Sequence, residues 1–394
     1  GLFASLFGNA GNDSLLGSNA GSFLFGGAGA DSLVGGNGND RLLGQGGSRD
    51  KLAGGLGNDT INGGAGTDYL FESGDVDITL TNSSLTGLGT DIVGGIERFS
   101  FVGGAGDNIL DAGAFGGVVT LVGGDGNDVL TGASGADALH AGNGDDTVFG
   151  SSGGDLMLGG NGTDLLVATD VGTITLSDSS LIGANGGIDV LSDFEVALLT
   201  GQAGNDSINA SSFTGKVTLD GGEGNDTLTG SSSGDSLIGG AGDDSLSGGD
   251  GDDSLEGSAG NDSLSGEAGS DRAVLSADAN FTLTDSLLTG LGNDTIDGLE
   301  FVQVTGGASA NTIDATGVTL LSLIVSGEGG DDTVIGGALN DTISGGEGAD
   351  SINGRNGNDV VSGDGGNDVL QGGTGLDFVD GGDGDDQVSG SGSS

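Results

Sequence analysis

Aspartate recurs at a constant spacing of nine residues near the end of the sequence, and its carboxylate is the most regular ionisable group in the chain. Seven nine-residue phrases run from Gly327 to Ser389, each with Gly first, Asp sixth and an apolar residue eighth. Their aspartates are Asp332, Asp341, Asp350, Asp359, Asp368, Asp377 and Asp386. Carboxylates and backbone carbonyls are the hard oxygen ligands that Ca²⁺ accepts in large number and irregular geometry. The spacing therefore predicts a series of calcium sites.

The fullest form of the phrase, Gly-Gly-any-Gly-any-Asp followed by three residues, predicts a tight turn and a short strand. Glycine tolerates positive φ, so the turn can direct its carbonyl oxygens inward. The last three residues place one apolar side chain on the inner face, as the alternation of a strand requires. Two phrases form one coil, so aspartates 18 residues apart stack at a strand spacing of about 4.8 Å. The sequence predicts an all-β fold, a parallel β-roll or β-helix solenoid with calcium-binding GGxGxD turns.

Three further blocks carry the phrase. Their candidate calcium ligands are Asp13, Asp31, Asp40, Asp50, Asp59 and Asp68 in the first block, Asp128, Asp137, Asp146, Asp155 and Asp164 in the second, and Asp226, Asp235, Asp244, Asp253, Asp262 and Asp271 in the third. The first block is the least regular, because Ser22 takes an aspartate position and the phrase from Gly44 to Ala53 has ten residues. We expect the Ser22 loop to be a weak or empty site. Aspartate pairs 18 apart predict 12 to 16 bound calcium ions.

These phrases resemble the RTX, or hemolysin-type calcium-binding, nonapeptide repeats, and the resemblance extends over nearly the whole chain. It implies a bacterial protein exported by type I secretion, whose export signal lies at the extreme C-terminus of the precursor. Ser394 ends in a plain repeat, so we expect that signal to be absent or to lie beyond this segment.

Three longer segments, Asp77 to Val122, Gly172 to Asp220 and Ala279 to Ser326, interrupt the phrase and match one another. Each opens on a Thr-rich strand and contains loop positions at steps of 17 to 25 residues, scattered around 18. Those loop positions are Asp91 and Asn108, Asp189 and Asp206, and Asp294 and Asn311. Acidic residues recur near Glu97, Glu195 and Glu300.

We interpret these interludes as β-helix coils of altered girth, continuous with the roll, in which aromatic residues partly replace calcium. The aromatic residues are Phe99, Phe101, Phe115 and Phe213. The alternative is three small separate domains. One continuous solenoid would have RTX blocks at 1–74, 123–169, 221–275 and 327–394, and interludes at 75–122, 170–220 and 276–326.

The formal net charge of −52 and the absence of cysteine bound the function. Stacked aspartates repel one another by roughly 3 kcal/mol per pair at an effective dielectric constant near 20, so the fold should require cations. The calcium-loaded chain would still be acidic, which argues against direct binding to nucleic acid and to anionic membranes. Calcium replaces disulfides as the stabiliser, and the scarcity of cytosolic calcium predicts an extracellular or cell-surface location.

The search for catalytic groups is mostly negative. His140 is the only histidine, and it occupies an outward position of its phrase, where an exposed spectator is the better interpretation than a catalytic triad. Gly215 and Lys216 lack the flanking residues of a phosphate loop. Paired carboxylates such as Asp145 and Asp146 could suit a glycosidase, but the second of each pair is a candidate metal ligand. We expect no enzyme activity.

The outward final position of the phrase is apolar in the first block and polar in the last. The apolar set is Leu16, Phe25, Val34, Leu43 and Phe71. Three of the seven basic residues, Arg41, Arg49 and Lys51, lie in the same block. An apolar strip with positive charge on an anionic chain suggests contact with another copy, unless missing flanking sequence covers it.

The sequence therefore predicts a non-catalytic, extracellular, calcium-binding structural solenoid that self-assembles as surface-layer, adhesin-stalk or matrix-fibre material. Its expected partners are calcium, other copies of itself and cell-surface polysaccharide. The alternative is a calcium-folding module that assists type I secretion of a larger enzyme or toxin.

Overall fold

A computed structural model describes residues 3–170, 172–183 and 187–390. Positions 1–2 of the first predicted block, 391–394 of the last, and 171 and 184–186 of the second interlude lie outside the described residues. The described residues form 44 β-strands and no helix.

The first 22 strands are β1 Ala4–Ala10, β2 Ser14–Leu16, β3 Ser22–Gly29, β4 Ser32–Gly36, β5 Arg41–Gly47, β6 Lys51–Gly55, β7 Thr60–Ala65, β8 Tyr69–Ser73, β9 Ile78–Thr81, β10 Ser84–Thr86, β11 Thr90–Gly94, β12 Arg98–Val102, β13 Ile109–Ala114, β14 Val118–Asp125, β15 Val129–Thr131, β16 Ala138–Asn143, β17 Thr147–Phe149, β18 Leu156–Asn161, β19 Leu165–Thr169, β20 Thr173–Ser177, β21 Ser180–Ile182 and β22 Ile188–Ser192. The remaining 22 are β23 Val196–Thr200, β24 Ser207–Ser212, β25 Lys216–Glu223, β26 Thr227–Thr229, β27 Ser236–Ala241, β28 Ser245–Asp250, β29 Ser254–Ala259, β30 Ser263–Ala268, β31 Arg272–Ser276, β32 Phe281–Thr284, β33 Leu287–Thr289, β34 Asn293–Asp297, β35 Phe301–Thr305, β36 Thr312–Gly317, β37 Ser322–Ser326, β38 Thr333–Ile335, β39 Thr342–Glu347, β40 Ser351–Asn353, β41 Val360–Gly365, β42 Val369–Gln371, β43 Phe378–Asp380 and β44 Gln387–Ser389.

The chain forms two compact units. The first comprises the described parts of Gly1–Thr169 and Asp178–Leu198, and the second comprises those of Asp170–Ser177 and Leu199–Ser394. Each unit is a β-solenoid in which successive coils add one strand to each of two parallel sheets. In the second unit, for example, β27 pairs with β29 while β28 pairs with β30. The predicted parallel β-roll is therefore confirmed.

The repeat register follows from the phrase. Leu237 pairs with Leu255, and Ile343 pairs with Val361, each 18 residues further along the chain. These apolar side chains point into the narrow space between the two sheets and are fully or almost fully buried. Their polar neighbours point outward, because side chains alternate along a strand. Most phrases thus contribute one core residue, as the sequence analysis predicts, whereas Val379 and Val388 in the last two phrases are not buried.

The interludes contain a feature that the spacing does not reveal. In the first, β10 runs antiparallel between β9 and β11, while β11 pairs in parallel with β7 and β9 pairs in parallel with β13. The third interlude repeats this arrangement with β33 between β32 and β34. In the second, β21 is antiparallel to β22. The larger girth of these coils arises from an inserted antiparallel meander.

The inserted meander changes the order of the loop positions. The sequence spacing places Asp91 one coil after Asp68, but Asp91 instead faces Asp59, 32 residues earlier. The interlude coils also carry the large aromatic core residues. Phe99, Phe101 and Phe115 are buried in the first unit, and Phe213 is buried in the second.

Candidate metal centres

The loop from Gly239 to Asp244 shows how the phrase builds a site. It connects β27 to β28, and its glycines Gly240 and Gly242 have φ values of 105° and 135°, which an L side chain rarely adopts. This backbone reverses the chain within a few residues and brings Asp244 to the base of the next strand. The Asp244 side chain turns inward and is only 3% exposed. A carboxylate is thereby buried at the edge of the sheet.

One oxygen of most of these carboxylates is used in a ladder between coils. The backbone N–H of Asp226 donates to Oδ1 of Asp244 at 2.7 Å, and the N–H of Asp244 donates to Oδ1 of Asp262 at 2.8 Å. The same bond recurs between Asp332 and Asp350 and between Asp350 and Asp368. These bonds set the stacking of the loops without any metal.

The second oxygen has no such partner. In nineteen of the predicted ligands the Oδ2 atom is buried and accepts no hydrogen bond. These residues are Asp13, Asp31, Asp40, Asp50, Asp59, Asp68, Asp128, Asp146, Asp164, Asp226, Asp244, Asp253, Asp262, Asp271, Asp332, Asp350, Asp359, Asp368 and Asp377. A buried polar atom without a partner costs about 1–3 kcal/mol, and more when it is charged. A repeated orphan oxygen of this kind indicates a bound cation.

Backbone carbonyls converge on the same place. A β-carbon placed on Gly35 would lie 2.6 Å from Asp40 Oδ2 and 2.6 Å from the carbonyl oxygen of Gly54 in the next coil. Only glycine leaves room for these two oxygens to approach each other. Carboxylate and carbonyl oxygens are the ligand set that Ca²⁺ prefers. The residues present therefore fit calcium, which would supply positive charge to the orphan Oδ2 atoms.

Carboxylates alone do not form the candidate sites. Within the described ranges, no group of three or more His, Cys, Asp or Glu side chains is placed to hold a metal ion. Any cation bound at the loops must therefore take a large share of its ligands from backbone carbonyls.

The other five predicted ligands do not have a buried Oδ2 atom that lacks a hydrogen-bond partner. Oδ2 of Asp137, Asp235 and Asp341 accepts a hydrogen bond from the backbone N–H of the residue four positions earlier, and Oδ2 of Asp155 accepts one from Ser151 Oγ. Asp386 in the last described loop is partly exposed. The hydroxyl of Ser22, where a weak or empty site was predicted, accepts the N–H of Ser18 at 2.8 Å.

Burial raises the pKa of many of these carboxyls. Burial is the main cause at Asp59, whose pKa rises to about 7, and the negative charges of Asp91 and Asp40 raise it further. Burial likewise raises the pKa of Asp244 and Asp350 to about 6, with neighbouring aspartates adding to the shift. The metal-free loops therefore hold their carboxylates against an electrostatic penalty.

Three glutamates act in the ladder although the sequence analysis did not name them as ligands. Oε2 of Glu97, Glu195 and Glu300 accepts the backbone N–H of Asp68, Asp164 and Asp271 respectively, at 2.8–2.9 Å. They replace the aspartate of the next coil where the chain enters an interlude. The signal was present in the sequence, because the glutamate recurs at the same place in all three interludes.

Glu72 is a further buried carboxyl that the phrase does not predict. It stands in the register position of a first glycine, and its Oε1 accepts the N–H of Gly54 at 2.6 Å. Burial is the main cause of a rise in its pKa to about 8, and the charges of Asp91 and Asp59 add to it. The side chain fills the space beside the Asp59 loop.

Comparison with known families agrees with this architecture. The family model for the RTX calcium-binding nonapeptide repeat matches residues 7–42, 17–49, 45–77, 100–119, 120–148, 131–166, 220–255, 238–273, 247–281, 282–300, 326–361 and 362–393. No curated protein matches the chain. No helix in the described part of the chain is long and apolar enough to span a membrane. Because the matched ranges cover well over half of the sequence and contain the loops described above, the chain belongs to the RTX family of calcium-binding nonapeptide repeats.

Proposed function

We propose that the chain is a non-catalytic structural solenoid that folds on extracellular calcium. The observation that carries the proposal is the set of nineteen buried Oδ2 atoms without a hydrogen-bond partner. With a net charge of −52, a metal-free fold would bury like charges beside one another. Calcium supplies the opposite charge, and millimolar extracellular calcium suits sites of low affinity.

The aspartates are committed to structure, which supports a role other than catalysis. Asp146, the second member of the pair Asp145 and Asp146, is 1% exposed, and its Oδ1 accepts the N–H of Asp128. His140 lies on the outer face of β16, in register with Val122 and Leu158. A buried carboxylate that already accepts a backbone hydrogen bond is poorly placed to move a proton of a substrate.

Circular dichroism with and without a chelator tests the proposal. Excess chelator at neutral pH should abolish most of the β signal, and excess Ca²⁺ should restore it, because the binding energy of the metal is also folding energy. A β spectrum that persists through exhaustive chelation would contradict the proposal.

Self-assembly into surface-layer, stalk or fibre material is the finer part of the proposal. The predicted apolar strip is two columns on different sheets. Phe25 and Leu43 are in register with each other and with Phe7, whose ring stacks on Phe25 at 4.7 Å. On the other sheet, Leu16 is in register with Val34. Phe71 lies on that sheet too, with Lys51 Nζ 5.8 Å from its ring centroid.

A second copy of the chain is the partner that these columns suit. Phe7 is 62% exposed and Leu16 is 71% exposed, and the scarce positive charges Arg41 and Lys51 lie two strands further along the same two sheets. An apolar surface with positive charge at its margin attracts a strongly acidic partner. Cell-surface polysaccharide is a further proposed partner, since its hydroxyl groups can bind Ca²⁺ at exposed loops.

The second candidate function is a calcium-folding module that assists type I secretion of a larger enzyme or toxin. The family match favours it, because RTX proteins are typically exported by type I systems. Linking the chain to a slow-folding reporter and an export signal tests this role. Export that depends on an intact repeat region would support it, and assembly of the isolated chain in calcium would favour the structural role.

A further inference from the structure

Eight loops satisfy their sixth residue from within the loop, and we name them the closed loops. They are the loops of Ser22, Asn108, Asp137, Asp155, Asp206, Asp235, Asn311 and Asp341. In seven of them the donor is the backbone N–H four positions earlier, and in the Asp155 loop it is Ser151 Oγ. The nineteen loops with an orphan Oδ2 are the open loops.

The backbone separates the two classes. In all nineteen open loops the second residue of the loop has φ between +67° and +136°, even where it is Glu328 or Arg355. In the closed loops the second residue lies outside this left-handed region. The difference does not follow residue type, because Gly337 of the closed Asp341 loop and Gly346 of the open Asp350 loop are both glycine. The left-handed conformation turns the N–H away from the carboxylate and leaves Oδ2 free.

Position in the solenoid explains the difference. In several open loops the third residue donates its N–H to the carbonyl of the second residue of the preceding loop, as Glu347 does to Glu328 at 2.8 Å. At the first loop of a stack, the preceding coil offers no loop of this type. Six of the eight closed loops are the first loops of their stacks, three of them near the end of an interlude and three at the start of the block that follows. One stack of loops begins at Asn108, Asp206 or Asn311, and the stack on the opposite side begins at Asp137, Asp235 or Asp341.

Two of these six positions are occupied by asparagine, which has no charge to offer a metal ion. Asn108 Oδ1 accepts the N–H of Gly104 at 3.0 Å, and Asn311 Oδ1 accepts the N–H of Gly307 at 2.9 Å. Each amide also donates from Nδ2, Asn108 to Asp75 and Asn311 to Asp278. An uncharged amide performs the same role that the Asp206 carboxylate performs in the second interlude. A loop that works with Asn does not need the charge of a metal ligand.

We propose that the six closed loops that begin these stacks are end caps in which an amide hydrogen takes the place that calcium takes in the open loops. In each stack that begins at a cap, carboxylates then bind calcium only from the second loop onward. In the second block the Asp155 loop, which stacks on the Asp137 loop, is also closed, so this stack has two closed loops in succession. The inference rests on the proposed calcium-dependent fold and assigns which loops carry that dependence.

Counting ions on matched variants of the full chain tests the caps. Asp341→Asn alters a closed loop, and Asp359→Asn alters the open loop stacked directly on it. Native mass spectrometry in calcium should show one or two fewer ions for Asp359→Asn and an unchanged number for Asp341→Asn. Asn311→Asp adds a carboxylate to a closed loop and should add no ion. Hydrogen exchange of β36 and β39 would show that each variant is folded.

The ion counts distinguish a failure of the end caps from a failure of calcium-dependent folding. If Asp341→Asn loses as many ions as Asp359→Asn, or if Asn311→Asp gains one, the closed loops bind calcium and the inference is wrong while the calcium-folding proposal stands. If neither aspartate variant loses ions and chelation leaves the fold intact, the proposed function itself fails. If Asp359→Asn unfolds its block, Asp332→Asn in the open loop beside Asn311 provides the same comparison.

Discussion

The last RTX block and the first interlude are both stacks of parallel coils, but different interactions hold them. In the block, the first five phrases each bury one apolar residue such as Val361, and their five aspartates are buried as well. In the interlude, Phe99 and Phe101 lie buried with ring centroids 6.3 Å apart, and the carboxylates present are hydrogen-bonded. All nineteen orphan oxygens belong to RTX blocks. The comparison indicates that a coil can be completed either by a cation or by a wider apolar core.

Removing calcium should produce the largest difference in stability between the last block and the first interlude. In chelator we expect amides of β39 and β41 to exchange quickly, while those of β12 and β14 keep part of their protection. A loss of about 3 kcal/mol of local stability corresponds to an increase of roughly a hundredfold in exchange rate. Hydrogen exchange with mass spectrometry measures this directly. Equal loss of protection in both regions would show that the interlude also depends on the metal.

Truncating an interlude core residue should have the next largest effect. Phe101 is fully buried, so Phe101→Ala should destabilise the fold by about 3–5 kcal/mol, through lost burial and the cavity left behind. We expect this change in saturating calcium, because no cation can fill an apolar cavity. Urea unfolding followed by circular dichroism measures it. Phe71→Ala, which alters an exposed ring, is the control and should cost far less.

Acid should partly substitute for calcium. Burial raises the folded-state pKa of Asp244 and Asp350 to about 6 and that of Asp59 to about 7, above the ordinary value of 3.8. A carboxyl with a raised folded pKa stabilises the fold fully below its unfolded pKa, and this contribution is lost as pH rises through the folded pKa. The metal-free chain should therefore have more β-structure at pH 5 than at pH 8.

Circular dichroism in chelator across this range checks the acid effect at constant ionic strength. With saturating calcium the dependence should be smaller, because the carboxylates are then held in their charged form. A β signal in chelator that increases as pH rises would contradict the sign derived from burial.

The sequence predicts the coil well because the phrase is local. Its period places Ile343 opposite Val361, and it marks the aspartates whose Oδ2 atoms are orphaned. The period of the phrase does not predict the antiparallel meander of the interludes. The strand Ser84–Thr86 has only three residues and resembles a turn, and the strands on either side of it, β9 and β11, pair in parallel with strands that are distant in the chain.

The closed loops show a second limit of sequence reasoning. Gly337 and Gly346 occupy the same place in the phrase, yet only Gly346 has a positive φ. The two loops differ in the coil that precedes them, and the phrase contains no information about that coil. The apolar strip is a milder case, since phrases nine residues apart alternate between the two sheets. Its division into two columns follows from the predicted coil itself.

The smallest expected effect concerns the outer surface. Phe25 and Leu43 on one sheet of the first block correspond to Ser344 and Ser362 on one sheet of the last, and both pairs are in register between adjacent coils. Phe25→Ser with Leu43→Ser and Arg41→Glu should weaken self-association by removing apolar contact and adding like charge. Ser344→Glu with Ser362→Glu is the matched control and should change it little. Sedimentation velocity at fixed calcium and about 50 μM protein, where weak interfaces are populated, measures the difference. A strictly monomeric parent chain, or equal assembly of the two variants, would show that the apolar column is not a contact between copies.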